Sequence, residues 1–76
     1  MASAQISKLV KMANDIAANL AASGDQAETA ARVRDHLNRF WSPSMKQHIM
    51  DHAHNGGEGL SSVAMRAVTE MNQPPQ

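Results

Sequence analysis

The sequence predicts a small all-α protein, a compact bundle of three to four short helices. Apolar residues recur at three- and four-residue steps over most of the chain, which is the spacing of one helix face. The breaks between these stretches fall at glycine, Ser-Pro or Asn-Gly-Gly, where helices end or new ones start. No stretch shows the alternation typical of a half-buried strand. Because the chain has 76 residues, we expect a single helical domain over residues 1–76.

The first predicted helix covers about residues 3–22, with Ser3 as its candidate cap and Gly24 as its terminator. Its apolar stripe alternates large residues with alanines: Ile6, Leu9, Val10, Ala13, Ile16, Ala17 and Leu20. A second helix could approach closely along Ala13 and Ala17. We therefore expect the first two helices to form an antiparallel hairpin.

The second predicted helix covers about residues 26–41 and opens at Asp25, which with Glu28 has the form of a capping box. Its apolar stripe is Ala30, Val33, Leu37 and Phe40, with Trp41 at the edge. Its charged residues lie mostly on the other side: Arg32, Arg34, Asp35 and Arg39. We interpret these charges as a solvated face, with Arg39 as a candidate partner contact.

The third predicted helix covers residues 43–54, because proline at its first position suits a helix start. Its inward residues are Met45, Ile49, Met50 and Ala53. It should end at Asn55-Gly56-Gly57, residues that tolerate a positive φ.

A fourth helix is predicted over about residues 62–71. It follows a serine cap and precedes a flexible tail, 72–76. Its apolar positions are Val63, Ala64, Ala67, Val68 and Met71.

Composition and charge exclude several classes of function. The chain has no cysteine, so it cannot form a disulfide, a thiolate zinc site or an iron–sulfur cluster. Seven basic residues balance seven acidic ones, which leaves no net positive field for nucleic acid or an anionic membrane. No run approaches the roughly 18 apolar residues of a membrane span, and a signal peptide is not recognisable. We expect a soluble, cytoplasmic protein.

Phe40 and Trp41, the chain's aromatic residues apart from histidine, stand side by side at the exit of the second helix. Consecutive helical residues point about 100° apart, so both share a core only if the core wraps the helix end. We expect Phe40 in the core. Two interpretations of Trp41 stay open, a plug between the second and third helices or a partly exposed partner anchor. The methionines are expected to be core fillers.

The loop after the third helix surrounds Glu58 with Gly56, Gly57 and Gly59. The main role of these glycines is to end one helix and start another. Their bare backbone is also able to approach another protein closely. Glu58 is a candidate for an interfacial ion pair or for the N-terminal cap of the fourth helix.

His48 and His52 have the four-residue spacing that can bind zinc or nickel. Asp51, the nearest further ligand, is turned about 100° round the helix from His52. We therefore favour solvated histidines over a metal site. His54 and Glu58 lack an accompanying nucleophile, so we predict no catalytic, cofactor-binding or metal-ligating residue.

Three segments together resemble the delta subunit of soluble, NAD-dependent formate dehydrogenases that contain molybdenum or tungsten. They read Lys8-Leu9-Val10-Lys11-Met12-Ala13-Asn14-Asp15-Ile16-Ala17, then His36-Leu37-Asn38-Arg39-Phe40-Trp41-Ser42-Pro43-Ser44-Met45-Lys46, and Gly56-Gly57-Glu58-Gly59-Leu60. In order and spacing they cover nearly the whole chain. The sequence departs from the family at Ser42, where an aspartate is expected, and at Ser61-Ser62, where the start is more proline-like. Serine still caps a helix at both places.

The resemblance implies a non-catalytic accessory subunit that binds the large molybdopterin subunit and aids assembly, cofactor insertion or stability. The complex would carry molybdopterin guanine dinucleotide with Mo or W, iron–sulfur clusters, FMN and NAD, all in other chains. The candidate partner-binding residues are Arg39, Phe40, Trp41, Pro43, Met45, Gly56, Gly57, Glu58, Gly59 and Leu60.

Two alternatives remain open beside this interpretation. A helical adaptor could pair its apolar faces with a second copy of itself. A small helix-turn-helix regulator could place its arginines on DNA, although the neutral charge balance disfavours it.

Overall fold

The computed structural model describes residues 4–21 and 25–71. These residues form four helices and no strand, which confirms the predicted all-α class. The helices are α1, Ala4–Asn19; α2, Gln26–Phe40; α3, Pro43–His54; and α4, Ser62–Met71. The first helix ends earlier than the predicted 3–22. The candidate cap Ser3, the terminator Gly24 and the tail 72–76 lie outside the described residues.

The start of α2 is fixed by the Asp25 side chain. Its Oδ1 accepts hydrogen bonds from the backbone N–H groups of Ala27 at 3.0 Å and Glu28 at 3.2 Å. The Glu28 carboxylate does not complete the predicted capping box. It pairs instead with Arg32, one turn further along, at 3.1 Å. Only the N-cap half of that motif is therefore formed.

Serine hydroxyls cap the starts of α3 and α4. Ser42 Oγ accepts a hydrogen bond from the N–H of Met45 at 3.2 Å, with Pro43 in the first turn of α3. Ser61 Oγ accepts one from the N–H of Ala64 at 3.2 Å. Both departures from the family pattern are thus working caps.

The bundle is organised around α4 rather than around the first two helices. The most extensive interface joins α2 to α4, α3 also packs on α4, and α1 contacts all three other helices. The expected hairpin of α1 and α2 is therefore not the main pairing. Ala30 on α2 and both Ala64 and Ala67 on α4 are completely buried, so their small side chains permit close approach.

Half of the buried hydrophobic core consists of alanines. The core residues are Leu9, Ala13, Ala17, Ala30, Val33, Leu37, Trp41, Ile49, Ala53, Ala64, Ala67 and Val68. The described methionines are half-buried against this core, as expected of core fillers: Met12, Met45, Met50, Met65 and Met71. Such a core places the helix backbones close together and leaves little room for larger side chains.

Phe40 is exposed, although it was expected in the core, and its neighbour Trp41 is buried. Phe40 is 68% exposed, whereas Trp41 is only 6% exposed. Leu37 is completely buried, so burial passes from Leu37 to Trp41 and leaves out Phe40. The backbone N–H of Trp41 still donates to the Leu37 carbonyl at 3.0 Å. The extended backbone conformation of Trp41 then turns the chain into α3. The prediction that Phe40 is a core residue was wrong.

Among the described residues, no helix has both the length and the apolar character needed to cross a membrane.

Candidate functional site

The ten predicted partner-binding residues fall into two separate regions of the fold. The first is the α2–α3 corner, residues 39–45. The second is the α3–α4 loop, residues 55–61. Each region divides into side chains that serve the fold and groups that remain accessible.

Inside the α2–α3 corner, Trp41 and Met45 contribute to the core. Trp41 is buried, and Met45 is half-buried and packed against the core. Pro43 is exposed in the first turn of α3. Of the two interpretations of Trp41, the structure therefore agrees with the one in which the indole fills the space between α2 and α3. The indole is not an exposed anchor for a partner.

On the solvent side of the corner, the exposed Phe40 ring lies against two neighbouring side chains. The His36 ring lies 4.8 Å from the Phe40 ring centroid at a tilt of 47°. The Arg39 guanidinium carbon lies 5.8 Å from the same centroid, within cation–π range. Phe40 is thus an exposed side chain held from two sides by its own helix.

A groove of about 310 Å³ adjoins the Phe40 ring. It combines apolar and basic groups with one acidic group, and its lining residues are Leu20, Arg32, Asp35, His36, Arg39 and Phe40. Leu20 comes from the chain just after α1, so the groove lies between α1 and α2. Sequence reasoning named Arg39 and Phe40 here but not the groove, since it forms only when the two helices meet.

Two arginines of α2 already have carboxylate partners. Arg32 pairs with Glu28 at 3.1 Å. Arg34 pairs with Asp35 at 3.3 Å and with Glu70 of α4 at 3.4 Å. These pairs largely neutralise the middle of the helix.

Two cations at the C-terminal end of α2 differ from these arginines. Within the described residues, neither Arg39 nor Lys46 has a carboxylate partner. Lys46 Nζ donates to the Asn38 carbonyl at 3.5 Å, which places its charge at the negative end of the helix dipole. This end of α2 therefore carries excess positive charge.

The glycines of the α3–α4 loop are required by backbone geometry. Gly56, Gly57 and Gly59 have φ values of 108°, 62° and 88°. Gly57 is buried, and a Cβ atom there would overlap the Sδ atom of Met65. Its bare backbone serves contact within the chain, so Gly57 is not an accessible partner contact. Gly56 is exposed, with open space around it.

Two side chains that sequence reasoning did not assign to the loop hold it in place. Asn14 of α1 donates from Nδ2 to the Gly59 carbonyl at 2.8 Å and accepts at Oδ1 from the Ser61 N–H at 2.9 Å. His52 Nε2 lies 2.7 Å from the Glu58 carbonyl oxygen and can donate to it. A signal for Asn14 existed, because it is a polar residue at the edge of the α1 apolar stripe.

Glu58 does not have the cap role considered for it. Its backbone carbonyl is engaged by His52, its side chain is exposed, and Ser61 caps α4 instead. Leu60 is half-buried against the core. Beside the loop, a groove of about 230 Å³ is lined by Ile6, Ser7, Val10, His52, Glu58 and Gly59.

The histidines of α3 do not form a metal site with neighbouring acids in the part of the chain that the structure describes. There, no three histidine, cysteine, aspartate or glutamate residues come together in an arrangement that could hold an ion. His48 is exposed, whereas the His52 ring faces the loop.

A comparison with protein families gives a match to the NADH-dependent formate dehydrogenase delta subunit FdsD over residues 8–68. This range includes all three segments that carry the sequence resemblance, the α2–α3 corner and the glycine loop. No curated protein and no solved structure gives a significant match. The chain belongs to the family of formate dehydrogenase delta subunits.

Proposed function

We propose that this chain is a non-catalytic accessory subunit of an NAD-dependent formate dehydrogenase. It binds the large molybdopterin-containing subunit and supports assembly, cofactor insertion or stability of the complex. The family match over residues 8–68 carries the proposal. The exposed groups at the end of α2 are consistent with it, since aromatic residues and arginine are enriched at protein interfaces.

The cofactors belong to other chains of the proposed complex. They are molybdopterin guanine dinucleotide with Mo or W, iron–sulfur clusters, FMN and NAD. The residues of this chain do not fit the metal centres: it has no cysteine, and its described residues form no cluster of metal ligands. The proposed role is therefore one of contact and positioning.

The proposal is tested by purifying formate dehydrogenase through a tag on its large subunit, from cells with and without this chain. Three quantities are measured: subunit stoichiometry, Mo or W per large subunit, and the half-life of activity on heating. Re-expression of the chain from a plasmid is the control.

Each quantity identifies one role. Loss of metal from an otherwise complete complex indicates cofactor insertion, and loss of other subunits indicates assembly. A shorter half-life with normal composition indicates stabilisation. If the chain does not co-purify and all three quantities are unchanged without it, the proposal is wrong.

A further inference from the structure

The structure points to one docking face on this chain, and we propose that it binds an acidic segment carrying an exposed apolar side chain on the large subunit. This Phe40 face consists of Leu20, Arg32, Asp35, His36, Arg39 and Phe40, with Lys46 at the adjoining start of α3. The inference rests on the proposed function and adds the surface and the chemistry of the partner.

Among the described residues, Phe40 is the one large hydrophobic side chain that is exposed. A partner could cover most of its ring, since 68% of the residue is accessible. Contacts with His36 and Arg39 already restrict the ring. Less conformational entropy is therefore lost on binding than for an unrestrained side chain.

The groove beside Phe40 supplies a place for an apolar side chain of the partner. Its volume of about 310 Å³ is bounded by Leu20 on one side and by α2 on the other. An exposed ring next to a groove allows reciprocal insertion, with Phe40 reaching into the partner and a partner side chain entering the groove. Such paired apolar contacts are typical of interface hot spots.

The charge distribution argues for an acidic partner. The chain is neutral overall, and Arg32 and Arg34 are paired within it. Among the described residues around Phe40, Arg39 and Lys46 have no carboxylate partner, whereas the one carboxylate that lines the groove is paired with Arg34, so unpaired positive charge lies next to Phe40. A carboxylate on the partner would complement Arg39 at the rim of the apolar contact.

The test measures binding of the full-length chain to the purified large subunit from the same cell, at low and high salt. Phe40→Ala removes the ring, and Arg39→Glu reverses the unpaired charge. Lys11→Glu is the matched control, because Lys11 is exposed on α1 away from this face. Circular dichroism checks that every variant is folded.

We expect Phe40→Ala and Arg39→Glu each to weaken binding about tenfold or more, and Lys11→Glu to leave it near wild type. Salt should weaken wild-type binding but not that of Arg39→Glu. If Arg39→Glu does not fold, Phe40→Ala alone decides.

Three results overturn the proposal, and they are distinguishable. Equal binding by wild type and both face variants removes this face but leaves the proposed function. Absence of wild-type binding removes the proposed function as well. Self-association of the chain that Phe40→Ala abolishes, without binding to the large subunit, assigns the face to a second copy.

Discussion

Neighbouring residues in the α2–α3 corner have opposite roles, because Phe40 is the last residue of α2 and Trp41 is the first residue of the turn into α3. Trp41 is buried together with Leu37, while Phe40 is exposed. Sequence patterning placed an aromatic residue in the core but chose Phe40. The choice could not be made from periodicity, since Trp41 lies one residue beyond the helix, where the turn into α3 decides its direction.

Trp41→Ala and Phe40→Ala should therefore differ sharply in stability. Emptying the buried Trp41 site should cost about 3–5 kcal/mol of unfolding free energy. Removing the exposed Phe40 ring should cost less than about 1 kcal/mol. Urea denaturation followed by circular dichroism measures both. Equal losses would contradict the assigned burial.

Asn14→Ala should loosen the α3–α4 loop from α1. The substitution removes the hydrogen bonds to the Gly59 carbonyl and from the Ser61 N–H, both of which are exposed to water, and should cost about 0.5–1.5 kcal/mol per bond. Asn38→Ala is the matched control, because the Asn38 side chain is exposed on α2. Urea unfolding compares the two, and an Asn14 variant as stable as the Asn38 variant would refute the anchoring role.

At the scale of the helices, local signals located the starts well but not the pairings. Asp25, Ser42 and Ser61 are caps whose side chains bond to nearby backbone N–H groups, so a few adjacent residues suffice to predict them. The pairing of α2 with α4 depends on surfaces far apart in sequence. Each amphipathic stripe indicates that a helix buries one face, but it does not indicate which other helix covers that face. The groove beside Phe40 was missed for the same reason.

Ser42 caps α3 at a position where the family pattern has aspartate, so its capping role can be tested directly by substitution. Ser42→Ala should destabilise the protein by about 1 kcal/mol, because the Met45 N–H loses its acceptor. Ser42→Asp should stay within about 0.5 kcal/mol of wild type, since aspartate also caps helices and suits the positive helix end. Thermal and urea unfolding measure the stability of both variants. Equal losses for Ser42→Ala and Ser42→Asp would contradict the capping role of Ser42.

Ala67→Leu should be poorly tolerated in α4. Ala67 is completely buried in a core rich in alanine, so extra methylenes must displace neighbouring helices. The expected cost is about 1–3 kcal/mol. Thr69→Leu, at an exposed position of the same helix, is the control. Similar unfolding midpoints for the two variants would mean that α4 packs more loosely than described.

For the whole molecule, we expect stability to depend on α4, because the two most extensive helix interfaces join α4 to α2 and to α3. A chain of 76 residues has little core to spare. Ala64, Ala67 and Val68 of α4 lie in the same core cluster as Val33 and Leu37 of α2. We therefore expect the fold to unfold as one cooperative unit.

The shortened chain 1–60, which lacks α4, should not fold on its own. Without α4, the apolar face of α2 is exposed to water, and the remaining helices are too short to be stable in isolation. Circular dichroism should give weak helicity and no cooperative melting transition. A sharp transition in this shortened chain, at any temperature, would contradict the central role of α4.

The buried position of Trp41 also has an optical consequence. The chain contains one tryptophan and no tyrosine, so its intrinsic near-ultraviolet emission reports on a single point, the junction of α2 and α3. Far-ultraviolet circular dichroism instead averages over every helix. Superimposable denaturation curves from the two signals would establish two-state unfolding without any label. A fluorescence change at lower urea would reveal that this junction opens before the remaining helices melt.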